Sequence, residues 1–96
     1  MRRTVPMARR VLGDSHALTL RMRKIYAGAL YKDDGATLDH LREAVTTLED
    51  AERIARRVFG GAHPVARAIG YDLREARATL RARETLTDEL DEVENA

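Results

Sequence analysis

The sequence predicts an all-α chain: an antiparallel helix-hairpin repeat of about three main helices, preceded by a short N-terminal helix. Three observations carry this expectation. Apolar residues recur at spacings of three and four rather than in the alternation of a strand. Glycine cuts the chain at Gly13, Gly35 and Gly60-Gly61, each where a helix C-cap is expected. A block of sequence also returns after 47 residues.

The elements follow in order. A short helix over about Val5 to Leu12 has Thr4 as candidate cap and Pro6 near its start, where a missing N–H costs least. The next helix spans about Ala17 to Lys32. Leu18, Met22, Ile25 and Ala29 form one stripe, and Leu20, Ala27 and Tyr31 a second on roughly the opposite side. A helix apolar on two sides is expected between neighbours. The third helix, about Thr37 to Phe59, carries Leu38, Leu41, Val45, Leu48, Ala51, Ala55 and Val58 in a rhythm that also suits a heptad seam. It covers only about three heptads, so a hairpin is favoured over a long coiled coil. The fourth opens at Pro64 with one narrow stripe, Val65, Ile69, Leu73, Ala76 and Leu80, fitting the solvent-facing end of a stack. Leu86, Leu90 and Val93 either continue it or form a short helix of their own.

Bulk composition excludes several classes. With 96 residues the chain is one small domain at most. At 44% hydrophobic and 34% charged residues it is neither a disordered tail nor a membrane protein. Aromatic residues are 4%, so the core must be aliphatic. Without cysteine there is no disulfide framework or thiolate metal site. The basic N-terminus is followed by no continuous apolar stretch of the secretory-signal kind. The net charge of +1 conceals a polarity: residues 1–24 hold seven bases against Asp14, whereas residues 84–94 hold six acids and no base.

The repeat is the strongest signal. Ala8-Arg9-Arg10-Val11-Leu12-Gly13 returns as Ala55-Arg56-Arg57-Val58-Phe59-Gly60, and three residues after each glycine stands a histidine, His16 or His63. A new helix opens after each, at Ala17 or Pro64. The physical content is a helix ending on an apolar pair, a glycine in a left-handed cap, and a short turn to a histidine at or near the next N-cap.

This junction resembles those of tetratricopeptide repeats of the kinesin light chain type, about 42 residues long against the standard 34. The resemblance extends to Gly28 and Tyr31, which match the family's small residue and its tyrosine three later. Gly35 matches its turn glycine; Ala44 and Ala51 match the two small residues of the second helix. About one extra helical turn between Gly35 and Ala44 contributes most of the lengthening to 47, and Glu75 and Ala78 replace the small residue and tyrosine in the last helix. The chain then divides into a stub of a preceding repeat at 1–13, one hairpin at 14–60, a capping helix at 61–85, and an acidic tail or helix extension at 86–96.

The resemblance implies a protein- or peptide-binding scaffold in an intracellular, cytoplasmic setting, without catalytic activity or cofactor. First helices of such repeats line a concave surface, which nominates Arg21, Arg23, Lys24, Arg67 and Arg74 as a face for an acidic segment; the competing reading is an ordinary solvated helix face. A second expectation is self-association into a homodimer, with one chain's 5–12 segment on another's open end. Arginine outnumbers lysine fifteen to two, but acids interleave with it and stacking aromatics are few, which disfavours nucleic acid. His16 and His63 sit at equivalent turns, and repetition rather than convergence argues for capping over a metal site. Ser15, the only serine, stands beside Asp14 and His16, but sequence neighbours are not a catalytic triad, and Ala62 replaces it in the second copy.

Overall fold

The computed structural model describes Gly13 and residues 16–95. The expected helix over 5–12 and the turn residues Asp14 and Ser15 lie outside the described residues. The rest is three helices with no strand among the described residues: α1 (Ala17–Tyr31), α2 (Leu38–Phe59) and α3 (Pro64–Asn95).

Each helix begins where its local chemistry demands. His16 is extended at φ −71°, ψ 140°, and its imidazole accepts the Leu18 N–H. His63 does the same for Val65, with the same 3.1 Å N–H···Nδ1 distance. In α2 the cap is reciprocal: Thr37 Oγ1 accepts from the His40 N–H at 3.1 Å, and His40 Nδ1 accepts from the Thr37 N–H at 3.4 Å. These bonds satisfy donors that the first helical turn otherwise leaves without a partner. The loop between α1 and α2 is tightened by Asp33, whose carboxylate accepts the Gly35 N–H at 3.0 Å.

The end of α2 departs from the expected left-handed cap. Gly60 has φ 89° but ψ 154°, an extended mirror-image conformation reserved even more strictly for glycine. Gly13 has φ 86°, so the two glycines of the repeat share a positive φ.

The core forms where the helices face each other. Leu20 from α1, Leu41 and Leu48 from α2, and Ile69 from α3 are fully buried, each contributing roughly 1.5–3 kcal/mol. Ala27, Ala44, Ala51, Ala55 and Ala76 are equally inaccessible and let the helices approach. The α2 stripe is therefore used inside the chain, apart from Val58, which is exposed.

Polar contacts fix the mutual placement. Helix α1 meets α2 through Tyr26 donating to Glu43 at 2.6 Å, and α3 through Lys24–Asp72 at 3.0 Å. Helix α2 meets α3 through Arg77–Glu49 at 3.0 Å and Arg42–Glu84 at 3.8 Å. Arg83 donates to the Ala36 carbonyl at 2.7 Å and ties α3 to the α1–α2 loop. No buried side-chain nitrogen or oxygen among the described residues lacks a partner.

One expectation needs correction. Of its two apolar stripes, helix α1 buries the one of Leu20, Ala27 and Tyr31, with Thr19 and Gly28 beside it; Leu18, Ile25 and Ala29 are exposed and Met22 is half-buried. Past residue 85, helix α3 follows the helix-extension alternative. It is one 32-residue helix, about 48 Å at 1.5 Å per residue, and its last turns pass beyond the α1–α2 loop.

Candidate functional site

Among the described residues, the five basic residues nominated from sequence stand in more than one setting. Arg23 turns toward α2, where its guanidinium lies 3.9 Å from Asp50. Lys24 faces α3 and is held by Asp72, a carboxylate that is itself buried. Arg21 and Lys24 flank a cavity of about 240 Å³ closed by Pro64, Val65 and Ala68 at the start of α3. Arg67 and Arg74 belong to a different opening, between α2 and α3. The two openings adjoin at Ala68, which lines both.

That second opening is a cleft of about 460 Å³, in which Arg67 and Arg74 of α3 are joined by Arg56 and Glu52 of α2. Tyr71, 59% exposed, and the glycines Gly61 and Gly70 complete its wall. Gly70 has a steric role: a Cβ built there would stand 2.6 Å from Glu52 Oε2, so the glycine lets that carboxylate lie against the α3 backbone. None of the three guanidinium groups has an ion-pair partner among the described residues. Arg56 stands out in the sequence only as part of the repeat; its partnership with Arg67 and Arg74 depends on the α2–α3 turn.

The repeat-defining residues are structural. His16 and His63 cap helices, and His63 also stacks on Phe59 with ring centroids 4.7 Å apart. His40 is half of a capping box with Thr37. Pro64 opens α3, directly after the capping histidine. Ala44 and Ala51 are buried at the helix contact. Gly28 is buried, yet among the described residues nothing lies within 4 Å of a Cβ added there, so the hairpin itself does not demand a small residue. Tyr31 is buried and donates to Glu75 at 3.1 Å. Burial, then the Asp72 charge, then the Glu75 hydrogen bond and charge push its phenol far above the ordinary tyrosine range. Glu75 is the residue that replaces the small residue in the second copy, and here it becomes the acceptor for the tyrosine of the first.

Among the described residues no three His, Asp or Glu side chains are grouped to hold a metal ion. No helix among them is long and apolar enough to cross a membrane. No protein family, curated protein or solved structure matches this chain.

Proposed function

We propose that this chain is a tetratricopeptide-like helical module that binds an acidic peptide segment of a partner protein and has no catalytic role. One observation carries the reading: three arginines, Arg56, Arg67 and Arg74, line the cleft between α2 and α3 with no ion-pair partner among the described residues. Arginine forms bidentate, charge-assisted bonds with carboxylates, and Tyr71 supplies an apolar wall with a polar tip. Glu52 sets a limit on the occupant, since an acidic group must sit nearer the arginines than to that carboxylate. The sequence resemblance supports the module type, and the matched junctions at Gly13–His16 and Gly60–His63 are consistent with stacked copies of one unit. A cytoplasmic setting goes with the same resemblance.

Fluorescence anisotropy with a panel of labelled acidic, neutral and basic peptides tests this. Acidic peptides bind, and Arg67→Ala with Arg74→Ala weakens them at least about tenfold, equivalent to about 1.4 kcal/mol. Arg21→Ala, in the separate cavity, leaves binding unchanged. Equal binding of neutral peptides, or indifference to the double substitution, refutes the assignment.

A further inference from the structure

The C-terminal half of α3 presents an apolar stripe that no other helix among the described residues covers. Leu86 is 52% exposed, Leu90 57% and Val93 73%. At about 100° per residue this stripe continues upstream through the exposed Ala82 and Ala78. Ala78, Arg81, Ala82, Thr85, Leu86 and Glu89 line a shallow open groove of about 530 Å³ along it. The face lies to the side of the one that α3 buries against α2 and α1, so the hairpin does not cover it.

The charge on α3 says what does. Residues 64–83 carry Arg67, Arg74, Arg77, Arg81 and Arg83 against Asp72 and Glu75; residues 84–94 carry six acids and no base. A helix so divided repels a copy of itself laid parallel and attracts one laid antiparallel. We infer that this face binds a second copy of the chain, the two α3 helices crossing antiparallel about a two-fold axis near residue 84. In that register Leu86 meets Ala82 of the second copy and Leu90 meets its Ala78, large residues against small ones, which permits close approach. On the flank, Arg81 stands within about two residues' rise of Glu89 of the second copy. Each contact occurs twice by symmetry. The acidic end is thereby the counter-charge of the basic half, and the self-association uses residues apart from Arg56 and Arg67 of the cleft.

Sedimentation equilibrium of the full chain over a concentration series is the test. The mass of the unaltered protein rises from 10.8 kDa toward twice that value. Leu86→Glu with Leu90→Glu holds it at the monomer mass while circular dichroism shows the same helix content, since both side chains are already exposed in the monomer. Arg81→Glu alone and Glu89→Arg alone each raise the dissociation constant at least about tenfold, and combining them in one chain restores it. A monomer at every concentration overturns the inference. So does a dimer indifferent to the two leucine substitutions, or a double charge swap no tighter than its parents.

Discussion

The contact between Lys24 and Asp72 makes an unequal prediction for its two partners. Their charged atoms are 3.0 Å apart; the Asp72 side chain is 7% exposed and that of Lys24 30%. Lys24→Met keeps the aliphatic stem and removes the ammonium, leaving a carboxylate among packed helices with no counter-charge. Losing one partner of a fully buried pair costs about 3–5 kcal/mol. Water reaches the lysine end here, so we expect about 2–3 kcal/mol. A domain of this size holds about 5–10 kcal/mol in total, so the melting temperature should fall by roughly 10–20 °C. Lys24→Met together with Asp72→Leu removes the stranded charge and returns to within about 1 kcal/mol of the parent. Urea unfolding followed by far-UV circular dichroism measures all three. If the single substitution costs less than about 0.5 kcal/mol, the pair behaves as a surface ion pair. If the double variant is as unstable as the single one, the buried carboxylate is not the cause.

Three further expectations follow from local geometry. Tyr31 keeps its phenolic proton in the fold, whereas an unfolded chain releases it near pH 10; stability is therefore full below about pH 10 and declines as pH rises above it. Urea midpoints of Tyr31→Phe against pH should show that alkaline decline flattened, and an unchanged slope would count against the buried Tyr31–Glu75 arrangement. Gly60→Ala places a Cβ on a residue at φ 89° and should cost about 1–3 kcal/mol by the same measurement; a neutral result would mean that the turn adopts another conformation. His63→Ala removes both the cap on Val65 and the Phe59 stack, for about 1–2 kcal/mol, whereas His63→Asn restores an acceptor and loses only the stack; equal losses in the two would refute the capping role.

Local chemistry makes the helices legible in the amino-acid sequence. Thr37, His16 and His63 mark starts, Gly60 marks an end, and the spacing of Leu41, Leu48 and Ala55 identifies a buried face. Periodicity groups residues on a face but does not say which face has a neighbour. That is why Leu18 and Ile25, equal in pattern to Leu20 and Ala27, are exposed while the latter are fully buried. The continuation of α3 past residue 85 is ambiguous in sequence for a related reason: no proline or glycine interrupts residues 71–95, yet no packing surface announces a helix there. The candidate cleft is half legible. Arg67 and Arg74 share a stripe by their spacing, but Arg56 and Glu52 reach them only once the turn folds α3 against α2.

The repeat and the arginines divide the work of the chain. Copies separated by 47 residues agree in the positive φ of Gly13 and Gly60 and in the 3.1 Å bonds to His16 and His63. The carbonyls of the two histidines also accept alike, from Leu20 and from Arg67 at 3.0 Å. Among the described residues, what is repeated is thus a helix start: a glycine of positive φ and, three residues on, a histidine cap. His40 accepts in the same way, so all three histidines have Nδ1 committed to a backbone N–H. Helix-starting and histidine chemistry are therefore joined, and the proposed peptide binding falls to the exposed helix faces. Arg56 and Arg67 are both exposed, so under the proposed function they can change without changing the fold. Substituting them should alter peptide binding while leaving stability in urea within about 0.5 kcal/mol of the parent, and a large loss of stability there would tie them to the fold instead.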